Sequence, residues 1–203
     1  MPETSEFKTR LSSHDLHHIW VGGLDLTADI MGQLTFADVV YLLVAGRLPD
    51  TREKVLLEAT LVALMEHGLT ASAMVARATY WAAPEAIQGA VAAGLLGAGS
   101  KVLGSMEECG RRGRHLEAML ELHRVAEARV GRRMPLNVTG AIAGILLELG
   151  IPWQLHRGFA LISRTAGLVA HIGEELRAPI TPAFRRQLFA AVQDHPNVGE
   201  DGS

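Results

Sequence analysis

Apolar residues recur along this chain at three- and four-residue intervals and seldom alternate one by one, which predicts helices throughout and few strands. Thr35 and Asp38 form a Thr-x-x-Asp start signal; the run Val39, Val40, Leu42, Leu43, Val44 follows, and Gly46 and Pro49 end it. Thr51 caps a second helix that runs to Met65 ahead of Gly68, and a third covers about 70–81. Pro84 fits the first turn of a fourth, over 86–104, because its missing N–H is not needed there. Further helices are predicted near 114–130, 138–149 and 153–175, with a last one after Pro182. The pattern reads as one all-α domain over 1–196, followed by a polar, disordered tail over 197–203. The fourth helix carries Ala90, Ala93, Gly94, Gly97 and Ala98. Small residues at that density let two helix backbones approach closely, which points to a homodimer resting on this helix.

Composition narrows the function classes. A formal charge of −3 and an isoelectric point near 6.3 lack the basic surface that nucleic acid binding needs. Cys109 is the only cysteine, so no intramolecular disulfide forms and a reducing, cytoplasmic compartment is expected. Residues 1–10 are polar and of mixed charge, unlike a signal peptide. The most apolar stretch, 86–104, carries Gln88, Lys101 and several glycines, so it reads as a buried helix and not a membrane span. His14, His17 and His18 cluster, but no acidic or cysteine ligands accompany them at an organised spacing, and no metal site is predicted. The segment Gly97-Ala98-Gly99-Ser100 follows no strand and precedes no Gly-Lys-Ser, so it is not a phosphate loop.

Four segments share a further pattern. The first is Met65-Glu66-His67-Gly68-Leu69-Thr70-Ala71-Ser72, followed by the small-residue helix from Gln88 to Leu96 and by Gly99-Ser100-Lys101-Val102-Leu103-Gly104-Ser105-Met106-Glu107. The others are Leu34 to Pro49, Pro135-Leu136-Asn137-Val138, and Ser163-Arg164-Thr165-Ala166-Gly167-Leu168-Val169-Ala170-His171. Taken in chain order, over about Leu24 to Pro179, they resemble the citrate synthase and citryl-CoA lyase family, and the segment after Gly99 is similar to the lyase branch. The resemblance implies a citrate synthase-like helical fold and a homodimer. Its substrates would be a coenzyme A thioester such as acetyl-CoA and a dicarboxylate such as citrate or oxaloacetate, with no tightly bound cofactor.

The same resemblance implies roles for single residues. Making or breaking the bond between an acetyl-CoA methyl and a keto carbon passes through an enolate, which needs proton donors and acceptors and cations for the carboxylates. His67 would polarise the hydroxyl or ketone oxygen, since imidazole titrates near neutrality. Without the resemblance, His67 reads first as a helix-terminal histidine satisfied by solvent or backbone. Arg164 would hold a substrate carboxylate. Its guanidinium sits in an apolar helical run and needs a carboxylate partner, and an internal Glu or Asp would serve that need too. Arg177, in Leu176-Arg177-Ala178-Pro179, resembles a second arginine that reaches a partner subunit's site, or is a solvated side chain.

Two departures separate the chain from the active members. They carry an aspartate after the Asn-Val pair, as the group that exchanges the methyl proton, and here that catalytic position is Thr139. A threonine hydroxyl cannot act as a carboxylate base near neutral pH without strong activation. Between Glu108 and His115 the family also has several dozen more residues, with a Gly-His loop. Three functions stay open: a citryl-CoA lyase-like enzyme; a catalytically depleted paralogue that binds acyl-CoA or dicarboxylate or serves as a structural partner subunit; and a plain helical interaction module that binds no small molecule.

Overall fold

The computed structural model of the chain describes residues 9–112, 116–133 and 138–193, and these are mainly helical, as the periodicity predicts. The tail over 197–203 and the segment Pro135-Leu136-Asn137 lie outside the described residues. The chain divides into two compact units, one of Met1–Ala63 and Gly104–Phe159, the other of Leu64–Leu103 and Ala160–Ser203.

The first unit opens with a small antiparallel sheet, β1 (Ser12–His14), β2 (Ile19–Val21) and β3 (Leu24–Asp25), in that order. The Asp15 carboxylate accepts the N–H groups of His17 and His18, both at 2.7 Å, and so closes the β1–β2 turn. The three histidines that cluster in sequence therefore belong to a hairpin. Gly22 and Gly23, at φ 58° and 86°, make the two-residue β2–β3 turn, which needs positive φ at both positions.

Helix α1 (Phe36–Ala45) starts on the predicted capping box of Thr35 and Asp38 and ends at Gly46 in the left-handed region. Helix α2 (Thr51–Met65) follows. The fully buried Tyr41 donates its hydroxyl to the Leu149 carbonyl at 2.8 Å, and Arg47 donates to Tyr41 and to Glu53. Helix α6 (Leu116–Val130) packs against α7 (Val138–Glu148). A Gly150 turn closes α7, with Ile151 N–H on Leu146 O and Gly150 N–H on Leu147 O. Leu57, Met106, Leu146, Leu149, Ile151 and Phe159 are the largest apolar side chains buried in this unit beside Tyr41.

The second unit is built on α3 (Ala71–Ala82) and α4 (Ile87–Leu96), which pack closely, and on α9 (Thr181–Gln193). Its core joins Ala76, Ala90, Leu168 and Ile172 with Tyr80, Val91 and Leu95. The small residues of α4 serve this core: a Cβ on Gly94 would lie 2.8 Å from Leu168 and 2.9 Å from Ala76. Their close approach is therefore made within the chain.

The helix expected over 86–104 is instead two, α4 and α5 (Ser100–Arg111). The break falls at Gly97-Ala98-Gly99, where two glycines lower helix propensity. Gly97 also packs where a Cβ would meet the Ser72 backbone at 3.2 Å. Pro84 lies outside α4, in a turn closed by Ala86 N–H on Ala83 O at 3.0 Å, a position where its fixed φ is equally at home. The long helix α8 (His156–Arg177) follows a 3-10 turn at Trp153–Leu155. No helix among the described residues is long and apolar enough to cross a membrane.

Candidate functional site

The site begins where α2 ends at Met65. Glu66 and His67 follow, and Gly68, at φ 97°, turns the chain toward the Thr70 cap of α3. Across from this turn, α8 presents Arg164, Gly167 and His171, spaced by three and four residues and hence on one helix face. Gly167 permits the approach: a Cβ there would overlap the Met65 carbonyl oxygen and reach within 2.9 Å of Glu66 Oε2.

This contact brings two of the predicted residues together. Arg164 Nη2 hydrogen-bonds His67 Nδ1. A guanidinium N–H only donates, so Nδ1 accepts and the ring proton resides on Nε2. The His67 ring is exposed, whereas the Arg164 side chain is only 7% exposed. Arg164 Nη1 also donates to Glu66 Oε2 at 3.4 Å. The internal carboxylate that a buried arginine demands is therefore present, next to the histidine. His171 Nε2 lies 3.0 Å from the same Glu66 oxygen. Glu66 Oε1 accepts the Gly68 N–H at 2.5 Å. Burial pushes the Glu66 carboxyl up, but the Gly68 N–H, His171 and the Arg164 charge outweigh it and hold the group below its ordinary range.

Arg177 lies exposed at the last turn of α8. With Glu66, Ala170, His171 and Glu174 it lines an open recess of about 280 Å³ in the second unit. Thr139 occupies the first turn of α7 in the first unit and is half-buried. Its neighbour Asn137, and His115 at the shortened middle, lie outside the described residues.

Sequence reasoning missed the second unit's deepest charges. Arg77 is 1% exposed and Glu175 3%, and Arg77 Nε donates to Glu175 Oε2 at 2.7 Å. Arg77 Nη1 reaches Glu174 at 2.5 Å and lies 3.5 Å from His171 Nδ1. Burial raises the Glu175 carboxyl, but the N–H groups of Thr181 and Ile180 and the Arg77 guanidinium together bring it below its ordinary range. The signal was available: Arg77, like Arg164, is a lone guanidinium in a run of small and apolar helical residues.

No family model matches the chain. No curated protein matches it either. Among solved structures, the citryl-CoA lyase from Hydrogenobacter thermophilus is similar, with a TM-score of 0.75 and 28% sequence identity. The match covers 85% of this chain and 88% of that one. The chain thus has a citrate synthase-like, mainly α fold with a small added sheet.

Proposed function

We propose that this chain is a citryl-CoA lyase-like protein that acts on an acyl-CoA thioester and a keto-dicarboxylate, as a cytoplasmic homodimer. The reaction class is retro-Claisen cleavage. The hydroxyl of a citryl-CoA-type thioester loses its proton, the adjacent C–C bond breaks, and its electrons pass to the thioester enolate. Protonation of that enolate carbon gives acetyl-CoA, and the other fragment is oxaloacetate.

The observation that carries this reading is the pairing of His67 with Arg164 at the close contact made by Gly167, in a chain similar to a citryl-CoA lyase. Arg164 supplies a fixed cation for a carboxylate, and His67 presents an Nε2–H that can donate to the hydroxyl or ketone oxygen. Arg177, exposed and lining the neighbouring recess, is a second carboxylate ligand. No carboxylate occupies position 139, so turnover is slow relative to binding. That single residue favours the second reading, a paralogue that binds acyl-CoA or dicarboxylate without turning it over.

Two assays test this. Calorimetry with citrate, oxaloacetate and CoA thioesters should give binding that weakens in His67→Ala and Arg164→Ala. Loss of a charge-assisted contact costs about 1.5–3 kcal/mol, roughly ten- to a hundredfold in affinity. Release of acetyl-CoA from citryl-CoA then separates enzyme from binding paralogue. Absence of any binding at millimolar ligand rejects both.

A further inference from the structure

Arg164 has no idle end. Its side chain is 7% exposed; Nη2 is held by His67 and Nη1 by the Glu66 carboxylate at 3.4 Å. The guanidinium keeps further N–H groups but almost no open surface, so an incoming carboxylate reaches it by taking the place of one of the two. His67 is bound through the shorter contact, and its ring is needed beside the bound molecule. Glu66 is held to Arg164 by the longer contact, and its side chain is 38% exposed.

Glu66 also has other places to bind. Oε1 is anchored on the Gly68 N–H, and Oε2 lies 3.0 Å from His171 Nε2. The recess beside it is lined by the exposed Arg177. Release from Arg164 therefore leaves the carboxylate with the Gly68 N–H, with His171, and with a second cation within the same recess. A carboxylate stripped of every partner would oppose release by its own desolvation, and this one is not.

We propose that Glu66 occupies the seat on Arg164 that a substrate carboxylate takes, so that dicarboxylate binding is an exchange of one carboxylate for another. The inference rests on the carboxylate-binding role given to Arg164 above. Glu66 thereby sets the affinity threshold of the site: a ligand must compete with an anion that is tethered four residues before the α3 cap. A ligand with one carboxylate and no second anchoring group competes poorly, and a dicarboxylate that also engages His67 or Arg177 competes well. The exchange makes Glu66 an affinity-setting residue and not a catalytic one.

The test is calorimetric titration of the full chain with citrate and with acetate, for the unmodified protein, Glu66→Gln, Glu66→Ala and Arg164→Ala. The glutamine keeps an acceptor for the Gly68 N–H and removes the charge. Citrate should bind about two- to tenfold more tightly to Glu66→Gln than to the unmodified chain, the range expected when a partly exposed competing ion pair is removed. Acetate should gain by a similar factor, because both ligands displace the same carboxylate. Citrate binding seen in Glu66→Gln alone supports the exchange in its strongest form. Binding that is lost in Arg164→Ala but unchanged or weakened in Glu66→Gln overturns it and makes Glu66 an orienting partner, while the function proposed above stands. Binding indifferent to Arg164→Ala, or absent in every form up to 10 mM (about −2.7 kcal/mol), overturns both. If Glu66→Gln fails to fold, Glu66→Ala decides on the same outcomes. Carbon-13 NMR of the Glu66 carboxyl in the unmodified chain adds an independent reading: saturating citrate should raise its titration midpoint as the Arg164 charge is taken up, and an unmoved midpoint argues against exchange.

Discussion

Replacing Arg77 by methionine tests whether the second unit depends on its buried ion pair. The side chain is fully enclosed, and Glu175, its main partner, is 3% exposed. Glu175 accepts Arg77 Nε at 2.7 Å, Ile180 N–H at 3.1 Å and Thr181 N–H at 3.0 Å. It therefore ties α3 to the turn between α8 and α9. Methionine fills a similar volume but leaves a buried carboxylate with two backbone donors and no cation. Breaking such a pair from one side costs about 3–5 kcal/mol. The Glu174 contact adds little, because that side chain is 58% exposed. In a chain of this length the loss corresponds to a fall in melting temperature of about 6–20 °C.

The double variant Arg77→Met/Glu175→Gln carries no stranded charge and should recover a large part of the loss. The pH dependence supplies a second signature. In the unmodified chain Glu175 titrates below its ordinary value of 4.5, so its stabilisation is present above that pH and disappears as pH falls through the lowered value. Without Arg77 one of the groups that lower the carboxyl is gone while burial remains, so the folded-state value rises and protonation relieves the variant. The stability gap between the two should narrow as pH drops into the carboxylate range. Urea denaturation from pH 7 to 4 measures both effects. A single variant within about 1 kcal/mol of the unmodified chain would refute the reasoning, as would a double variant no better than the single.

Gly167→Ala should destabilise the second unit and weaken citrate binding together, because the added methyl overlaps the Met65 carbonyl; thermal melts and calorimetry read the two effects. Arg47 holds the Glu53 carboxyl at about 2, against an ordinary 4.5, with help from the Asp50 N–H and Tyr41. Stability should therefore decline as pH falls from 4.5 toward 2, and Glu53→Gln should flatten that slope in denaturant titrations. Citryl-CoA cleavage by the unmodified chain should be weak, since a positioned acid or base typically contributes ~10²–10⁴-fold and Thr139 supplies none. Thr139→Asp should raise the rate only when a Gly-His loop is restored between Glu108 and His115; robust turnover by the unmodified chain would place the base elsewhere.

Helices are legible in this sequence wherever their ends carry chemistry of their own. Thr35 with Asp38, and Gly46, act through local hydrogen bonds and backbone conformation, so they function the same way in any surroundings. The break between α4 and α5 has no such independence. Gly97 and Gly99 lie in a run whose small residues suit a continuous buried helix equally well, and the Ser72 backbone that packs against Gly97 is remote in sequence. The same ambiguity attaches to Gly94. A glycine in a helix announces that something comes close but not what comes close, and here it is Leu168 and Ala76 of the same chain.

The site divides along the same line. His67 and Arg164 were legible because each is chemically out of place, an imidazole at a helix end and a guanidinium in an apolar run. Arg77 is out of place in the same way and should have been read with them. Glu66 could not have been. A glutamate after the last turn of a helix is ordinary, and only the passage of α8 beside it, allowed by Gly167, sets its carboxylate between Arg164 and His171. A residue's type shows what it can pair with, and only the fold decides which partners compete for it. The competition matters more to function than the inventory does. If Arg164 met an incoming carboxylate with no rival, every ligand that pairs with it would bind more tightly by a similar factor, and weak ligands would be held as well. With Glu66 as rival, a ligand is held only if it brings more than the one carboxylate it displaces.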